Sequence, residues 1–505
     1  MTQKSNRGLL FSFKNNSCRQ MFKRCVILLV FTFIIINNGF AQKLKSNVLT
    51  KKYSPAQLKE DVNVMASAIL KMHPVIGIYK SRPYYIALFD SLKQAFNDSL
   101  TEKQFRIKLK IFLNNLHCGH TEALPSRQYL KFSEKQQLSF SPYVFIPIQN
   151  KIYVLATVNK KKDSLLKKGT EVIKINGVSS DSMLNLCRQL ITSDGYNITG
   201  KNHYLKLGFN SYYPALFGRP DTFNIEYKAG NERKTLKYAA IKIKNIPSIP
   251  LVAKDDTLFT ICKKASLKYK YIDSSHKTLF LRLNSFSRKK YAKAYHKIFK
   301  KLKNDKAENL VIDLRYNGGG SIENSYRLLS YLLDSSQTQT LRTGIKKYPD
   351  KKYTTGNIWF KLMRFGFKFI AKKKTINDTD NYVYTIKPVK KNHYDKKIYV
   401  LINGGSFSAS CLVAAYLKYN RRAVFVGEET AGASEGCNAG ITPYYKLPNT
   451  KVKIRVPAFR IVNDVCPQIT GHGIMPDYKI EYTIKDILAR RDLELQKVKE
   501  LIATH

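Results

Sequence analysis

Residues 309–320 read NLVIDLRYNGGG, an apolar run that ends in polar residues and three consecutive glycines. We predict a buried strand over 309–314, because a short β-branched run bounded by glycine is typical of a central strand in a parallel sheet. The glycines would let backbone N–H groups approach a ligand closely, and a helix predicted over 322–333 would begin directly after them. The phosphate-loop ending GK[ST] is absent. The stretch indicates a site for developing negative charge, although an ordinary glycine-rich turn would give the same string.

A second predicted strand-to-helix junction reads NGGSFSAS at residues 403–410. A hydroxyl at a helix N-terminus lies in positive potential, which suits a nucleophile whose intermediate is an oxyanion. Any one of these serines could simply be a helix cap. Three serines within five residues exceed what one cap needs, so the junction is a candidate for a serine nucleophile.

A candidate base lies far away in sequence, in LHCGHT at residues 116–121. A serine nucleophile needs a base within hydrogen-bond reach, and that base can come from anywhere in the chain. Gly119 and Thr121 on either side of His120 predict a turn rather than a helix face. The chain has nine histidines, however, and a given histidine is more often structural.

Around these motifs the hydrophobic pattern predicts three regions of different secondary structure. Residues 54–116 have helical spacing, and residues 138–242 are rich in short β runs, with a turn at Asn176-Gly177 and a helix over 180–190. From about residue 278, strands and helices alternate, which indicates an α/β layer with parallel strand pairs. The predicted strands there are 279–283, 309–314, 398–403 and 423–427, and the predicted helices are 289–302, 322–333, 407–417 and 485–502.

The composition excludes several classes of protein. The 505 residues are 44% hydrophobic and 12% aromatic, so the chain can bury a core despite a formal net charge of +51. No helix-turn-helix, RRM or zinc spacing accompanies the charge, so we expect no nucleic-acid partner. Histidines and acids show no metal-ligand spacing such as HExxH, so we expect no metal and no cofactor.

The first 41 residues resemble a targeting segment. Residues 1–24 carry six basic residues and no acid, residues 25–36 form a mostly apolar run too short to span a bilayer, and small residues precede a plausible cut after Ala41. An uncleaved N-terminal anchor is the alternative. We therefore expect an exported chain, periplasmic or extracellular. The mature chain would keep six cysteines without a CxxC pair, and disulfides would be permitted there with no readable connectivity.

Residues 336–395 form a basic, aromatic insertion in the α/β part. Its stretch 342–374 has eleven Lys or Arg and one acid, interleaved with aromatic residues that include Trp359, the only tryptophan. It could be an interfacial membrane segment, a hydrophobic lid over the cleft, or a helix packed on the catalytic domain with its lysines in water. The remaining excess charge is spread over every domain and indicates a solvated lysine-rich surface. The charge as a whole suggests a preference for acidic substrates or anionic membrane surfaces, concentrated in this insertion.

Together the three motifs, in this order, resemble the S41 serine peptidases, also called tail-specific or carboxy-terminal processing proteases. Residues 309–320 look like the family's LVIDLRxNGGG, residues 400–432 like its VLxNGGSxSAS block, and 473–478 like its GxxPDY closure. The resemblance implies an α/β fold with a helical N-terminal unit (50–130), a PDZ-like β domain (138–245) and a ClpP/crotonase-like catalytic domain (255–505). The strand and turn at 168–178 fit the PDZ interpretation, although a generic hairpin would look the same.

Carried over by residue, the resemblance puts the nucleophile on Ser408 and the oxyanion hole on the amides of Ala409 and of Gly318 or Gly319. Ser406 and Ser410 would then be supports or a cap. Members with a Ser-Lys dyad have a lysine where this chain has Ala433, so the chain looks like the tricorn-type branch, with His120 as the base.

Two positions depart from that branch. Cys118 stands where it usually has an aspartate, and Thr470 stands near the position of its glutamate. Asp464 and Glu435 are the substitutes for the acid that orients the histidine, and a hydroxyl or carbonyl could also do so.

The implied function is an exported serine endopeptidase that hydrolyses polypeptides, recognised in part by their C-terminus, through a Ser-His acyl-enzyme mechanism. The alternative is a catalytically decayed module of the same fold that binds peptides or hydrophobic ligands.

Overall fold

The computed structural model describes residues 48–134, 136, 138–158, 165–243, 259–262, 267–286, 291–343, 352–355, 372–376, 379–465 and 469–504. The predicted signal peptide at 1–41 lies outside these residues, and so does most of the basic stretch 342–374. No helix within the described ranges is both long and apolar enough to cross a membrane.

The N-terminal part is helical, as the spacing predicted. Ser54 accepts a hydrogen bond from the Gln57 amide and begins the first helix with a reciprocal capping box. Leu58, Val62 and Met65 on that helix are fully buried. The elements are β1 (Lys52–Tyr53), α1 (Pro55–Met72), α2 (Arg82–Gln94), β2 (Leu100–Thr101), α3 (Glu102–Leu113), the 3-10 helix Asn114–Leu116, β3 (Glu122–Leu124) and α4 (Arg127–Ser133).

The next part is a small sheet with two helices. Its elements are β4 (Leu138–Phe140), β5 (Tyr143–Ile148), β6 (Lys151–Thr157), β7 (Glu171–Ile175), β8 (Val178–Ser179), α5 (Ser180–Arg188), α6 (Thr199–Leu216), β9 (Thr222–Ala229), β10 (Glu232–Ala239) and β11 (Ile241–Ile243). The main sheet has the order β10-β9-β7-β6-β5, and β11 pairs with β4. Asn176 and Gly177 have φ values of 49° and 82°, the left-handed geometry of the predicted tight turn. The PDZ interpretation of this β domain stays a prediction.

The third part is the predicted α/β layer. It contains β12 (Phe259–Cys262), β13 (Leu267–Tyr271), β14 (Thr278–Leu283), α7 (Ala292–Asn304), β15 (Asn309–Asp313), α8 (Ile322–Ser330), β16 (Gln337–Thr343), β17 (Thr354–Thr355), β18 (Lys372–Ile376), β19 (Thr379–Ile386), β20 (Lys397–Ile402), α9 (Ala409–Tyr419), β21 (Val424–Gly427), β22 (Gly436–Ala439), β23 (Tyr444–Lys446), β24 (Lys453–Arg455), β25 (Phe459–Asn463), β26 (Tyr478–Lys479), α10 (Ile484–Leu488) and α11 (Leu493–Ala503).

Its central sheet has the order β12-β13-β14-β15-β20-β21-β26, and the pairs from β14 to β26 are parallel. The mixed α/β prediction is therefore confirmed. Because β15 and β20 are parallel neighbours, the two glycine-rich loops that follow them leave the same edge of the sheet. This edge is where open α/β sheets bind ligands.

Two further sheets join this layer to its surroundings. The described ends of the insertion are strands, and they pair in the order β18-β19-β16-β25-β22. Strand β3 of the N-terminal part completes the sheet β17-β23-β24-β3, and side chains of α1 to α3 share one hydrophobic core with β22 to β25. A common core therefore crosses the predicted boundary near residue 130.

The predicted single helix over 485–502 is wrong, because the chain breaks it between α10 and α11. Arg490 adopts a left-handed φ of 53°. The Asp492 side chain then accepts the Leu495 amide and begins a new helix. The left-handed residue and the aspartate cap together interrupt the helix, which the apolar spacing alone could not indicate.

Candidate active site

The two glycine-rich loops are tied to each other by side chains of the second. Ser406 Oγ donates to the Leu314 carbonyl at 2.8 Å, and Ser410 Oγ donates to the Asn317 carbonyl at 2.8 Å. The Phe407 amide also donates to the Asn317 carbonyl, at 3.0 Å. Both outer serines of the triplet are therefore buried tethers, and Ser408 alone among the three is left without such a bond.

Ser408 lies in a strained turn directly before α9. Its backbone has φ 58° and ψ −117°, an unusual conformation for a residue with a side chain, and its hydroxyl makes no cap hydrogen bond to the helix. Such strain persists only where the surroundings hold it and is common at reactive residues. The turn leaves the Ser408 hydroxyl at the positive end of an eleven-residue helix.

His120 reaches this hydroxyl from 288 residues away in sequence. Its Nε2 lies 3.3 Å from Ser408 Oγ, and its ring stacks on Phe407 with centroids 4.6 Å apart. Burial, and secondarily the nearby Arg455 charge, lower the pKa of His120 to about 3. The ring is therefore neutral at physiological pH, the form in which a histidine can accept a proton.

The described residues offer no hydrogen-bond partner to the other ring nitrogen of His120. Nδ1 is buried and makes no hydrogen bond within the described part of the chain. Asp464 instead accepts a bond from Thr340 Oγ1 at 3.0 Å, and Glu435 accepts from the Tyr79 hydroxyl at 2.9 Å and the Gly471 amide at 3.1 Å. The structure thus brings Ser408 and His120 together and does not bring either candidate acid to the histidine.

The Cys118 thiol, at the position before the Gly-His-Thr motif, does not supply a charge either. It is fully buried, and burial raises its pKa to about 12. Four cysteines in the described ranges, Cys118, Cys187, Cys411 and Cys437, are buried free thiols, and the predicted possibility of a disulfide among them is not realised.

The two candidate glycines differ in what their backbones do. The Gly319 amide donates to Asn317 Oδ1 at 3.0 Å, and a Cβ on Gly319 would lie 2.8 Å from both the Ala409 nitrogen and Ser408 Cβ. A Cβ on Gly318 would meet nothing within 4 Å. Gly319 therefore packs against the turn that carries Ser408, whereas Gly318 faces open space. The first-turn amide of Ala409 has no intrahelical acceptor by its position.

A buried ion-pair network lies beneath the first glycine loop. The Arg315 guanidinium contacts Asp313 at 2.9 Å, Asp492 at 2.7 Å and Glu494 at 2.9 Å, with both Arg315 and Asp313 side chains 3% exposed. Burial by itself raises the pKa of Asp313, but the Arg315 and Arg282 charges outweigh it and hold that pKa below its usual value. The loop that carries Gly318 is thus anchored to α11 through charged groups.

Ser408 and His120 open onto a cleft of about 1510 Å³ where all three parts of the chain meet. The N-terminal part contributes Lys110 and Glu122, and the β domain contributes Tyr204 and Tyr212 of α6. Most of the remaining wall is apolar or aromatic and comes from the α/β part. No cluster of metal-binding side chains occurs within the described ranges.

Sequence reasoning missed the residues that hold the histidine turn in place. Arg455 Nε donates to the His120 carbonyl at 2.7 Å, and Asp194 Oδ1 accepts the Gly119 amide at 2.8 Å. Both contacts use backbone atoms of residues 119 and 120, and they join segments 75 and 335 positions apart. No local signal in the sequence marks either residue.

A neutral histidine beside a strained serine, at the carboxyl edge of a parallel sheet, is an arrangement suited to the chemistry of a serine hydrolase. Residues 277–480 match the sequence profile of Peptidase family S41. The matched segment, 204 of the 505 residues, is therefore similar to the serine peptidases of that family.

Individual relatives are more distant. The chain is 27% identical over 219 residues to a carboxy-terminal-processing protease of Bartonella bacilliformis, a match that covers 43% of this chain and 42% of that protein. It is 36% identical over 121 residues to an uncharacterized protein of Chlamydia muridarum, covering 23% and 19% respectively. The chain thus spans less than half the length of these curated relatives.

Solved structures extend the likeness to the whole fold. Mature CPAF in complex with lactacystin is similar to this chain with a TM-score of 0.62 at 16% identity, covering 89% of this chain and 98% of that one. A serine-to-alanine mutant of CPAF gives a TM-score of 0.65 with the same identity, covering 89% of this chain and 97% of that one. At this identity the likeness is one of fold, and it includes the helical and β parts that precede the sequence match.

Proposed function

We propose that the chain is a serine endopeptidase in which Ser408 is the nucleophile and His120 is the general base. The observation that carries this proposal is the 3.3 Å approach of His120 Nε2 to Ser408 Oγ at a strained helix N-terminus inside a large cleft. A nucleophile and a base within hydrogen-bond reach are the arrangement that serine-type acyl transfer requires.

The chemistry follows from these groups and their neighbours. His120, with its proton on Nδ1, accepts the Ser408 proton through Nε2 as Oγ attacks a peptide carbonyl. The amides of Gly318 and Ala409 donate to the oxygen on which negative charge develops, and the positive end of α9 adds to this stabilisation. His120 then returns the proton to the leaving amine, and water hydrolyses the acyl-enzyme by the same route. Gly319 takes a supporting role, because its amide already donates to Asn317.

The substrate we propose is an extended polypeptide. A cleft of about 1510 Å³ exceeds the roughly 300–1,000 Å³ of typical small-molecule pockets, and its aromatic walls suit apolar side chains. The β domain has a largely exposed sheet edge at β10, at which a free C-terminal segment could pair by strand addition. Recognition of the C-terminus rests on that geometry and on the family resemblance.

Fluorophosphonate labelling of the purified chain, followed by peptide mapping, tests the nucleophile, and digestion of an unfolded protein such as casein tests the reaction. We expect the label on Ser408 and cleavage products from casein. A label on another serine, or none, would refute the assignment.

The unpartnered Nδ1 of His120 and the missing aspartate at Cys118 favour a second candidate, a decayed module that binds peptides or hydrophobic ligands. The two candidates differ in labelling and in cleavage. A decayed module would bind casein-derived peptides without being labelled by fluorophosphonate and without cleaving casein. The peptidase would bind the peptides, become labelled and cleave casein.

The pH profile of labelling tests the role of His120. Its pKa is lowered to about 3, so the ring loses its proton far below neutral pH and remains a competent base above that point. The positive Arg455 beside it acts in the same direction. We expect the labelling rate constant to stay level between about pH 8 and pH 5, where an ordinary histidine with a pKa near 6.5 would lose activity. A fall with its midpoint between about pH 6 and 7 would contradict this expectation.

We further propose that the mature chain acts after export and that stretch 342–374 contacts anionic membranes. The basic and apolar segments at the N-terminus support export, and eleven basic residues interleaved with aromatic ones support membrane contact. We expect co-sedimentation of the mature chain with phosphatidylglycerol vesicles, and we expect it to be lost when residues 342–374 are deleted. Equal binding by both chains would end the membrane proposal.

A further inference from the structure

One short segment of the β domain makes several hydrogen bonds to the turn that carries His120. Residues 192–195, between α5 and α6, hydrogen-bond to residues on both sides of the histidine. Thr192 Oγ1 donates to the Thr121 carbonyl at 3.1 Å, and the Gly195 amide donates to the His117 carbonyl at 3.0 Å. The Gly195 carbonyl also lies 2.8 Å from His117 Nδ1. Between these contacts, Asp194 Oδ1 accepts the Gly119 amide at 2.8 Å. We call residues 192–195 the histidine clamp.

Burying the Asp194 carboxylate costs more free energy than one structural hydrogen bond would recover. It is 2% exposed, and its Oδ2 is buried without a hydrogen-bond partner in the described part of the chain. A buried carboxylate normally has several partners, because removing its charge from water is costly. One amide hydrogen bond does not offset that cost, so stability alone does not explain why an aspartate is placed here.

Steric contacts fix the turn from the opposite side. A Cβ on Gly119 would lie 2.8 Å from the Phe407 ring and 3.5 Å from the Asp194 nitrogen. The Phe407 ring is also the one that stacks on His120. The Gly119–His120 peptide is therefore enclosed between the residue before the nucleophile and the clamp. A shift of the clamp would be transmitted to the distance between Nε2 and Oγ.

The clamp itself is fixed to the α/β part. The Tyr196 amide donates to the Gly471 carbonyl at 2.8 Å, and a Cβ on Gly195 would lie only 2.2 Å from that same carbonyl oxygen. Gly195 has φ 55°, so both its conformation and its contact exclude a side chain. Asn197 Nδ2 donates to the Thr430 carbonyl at 2.7 Å. The segment thus joins the β domain, the histidine turn and the loops beyond α9.

We propose that Asp194 is the positioning residue for His120, and that the clamp makes the reactivity of Ser408 depend on the packing of the β domain. This inference rests on the proposed function. Asp194 restricts the position of His120, which neither Asp464 nor Glu435 does. It acts through the backbone of the turn rather than through a hydrogen bond to Nδ1.

Three variants and one control test the proposal in the full-length chain. Asp194→Ala removes the acceptor of the Gly119 amide, Asp194→Asn keeps an oxygen there, and Thr192→Val removes the neighbouring bond with little change of shape. The control is Asp181→Asn on α5, where the carboxylate makes surface hydrogen bonds to Asn150 and Asn185.

We expect the fluorophosphonate labelling rate constant to fall about 100-fold in Asp194→Ala, because a displacement of about 1 Å in a reacting group can cost this much. Asp194→Asn should restore most of the rate, Thr192→Val should fall less than Asp194→Ala, and Asp181→Asn should match the parent chain. With peptide substrates the loss should lie in kcat and leave KM nearly unchanged. An Asp194→Ala chain that labels at the parent rate would overturn the proposal, and so would an Asp194→Asn chain as slow as Asp194→Ala.

Hydrogen exchange separates this proposal from the proposed function. Whether or not the parent chain is labelled, Asp194→Ala should increase deuterium uptake in peptides covering 117–121, with uptake in the core strands β15 and β20 unchanged. Unchanged uptake at 117–121 would refute the clamp. Faster uptake together with an unlabelled parent chain would support the clamp and refute the peptidase.

Discussion

Replacing Ser408 by alanine is expected to abolish casein cleavage and fluorophosphonate labelling while leaving the fold intact. Of the three serines in the second glycine loop, Ser408 is the one whose hydroxyl lies beside His120 Nε2 without a tethering bond. Loss of a nucleophile or its base lowers the rate by several orders of magnitude, on the order of 10⁴–10⁶-fold. Because Ser408 Oγ caps no helix, the unfolding temperature should change little.

Two comparisons make the first prediction specific. Ser330→Ala removes a hydroxyl that bonds within its own helix at the Arg327 carbonyl, and it should keep full activity. His120→Ala should cost about as much as Ser408→Ala, and the double variant no more than either alone, because residues of one catalytic unit are not additive. Retained cleavage in Ser408→Ala, or a double variant far below both single variants, would contradict the dyad.

Replacing Arg315 by methionine is expected to lower the free energy of unfolding by about 3–5 kcal/mol, because removing one partner of a buried ion pair leaves uncompensated charge. Arg315 contacts Asp313, Asp492 and Glu494 at 2.7 to 2.9 Å, and its side chain is 3% exposed. Without the Arg315 guanidinium, Asp313 loses one of the two positive charges that hold its pKa down, and only Arg282 then opposes the effect of burial. Urea unfolding of the parent and variant chains measures the difference.

The matched control is Arg327→Met, at an exposed pair with Glu323 on α8. The Arg327 side chain is 46% exposed, and such surface pairs contribute about 0–1 kcal/mol. Equal losses in the two variants would show that the Arg315 network adds nothing beyond an ordinary surface pair. We also expect Arg315→Met to lower activity, since the same network anchors the loop that carries Gly318.

The sequence was most informative where function requires special local chemistry. The glycines at 318–320 and the serines at 406–410 stand out because packing does not explain them, and the structure brings both loops to one sheet edge. The local residues made His120 only one candidate base among nine histidines, and the resemblance to S41 peptidases singled it out. The separate tethering roles of Ser406 and Ser410 depend on carbonyl groups 92 and 93 residues away, which no spacing rule contains.

The sequence-based predictions of the orienting acid, the last helix and the insertion were incomplete for identifiable physical reasons. The orienting acid was expected to be a carboxylate that bonds to the histidine ring, whereas Asp194 bonds to the backbone one residue before it. The predicted last helix runs through Arg490 because apolar spacing does not register a left-handed residue. The described ends of the insertion are strands, and β16 among them pairs with β25. This pairing is a tertiary contact, which the composition of the insertion does not indicate.

The distance of 288 residues between the two reactive groups has a consequence for the timing of activity. Ser408 is synthesised long after His120, and in the folded chain the histidine turn is followed by the pairing of β3 with β24 and contacted by the clamp of the β domain. An unfinished or unfolded chain has no assembled dyad. On the proposed mechanism, a chain that has not yet folded lacks the paired nucleophile and base, and we expect it to be unable to cleave itself or its neighbours.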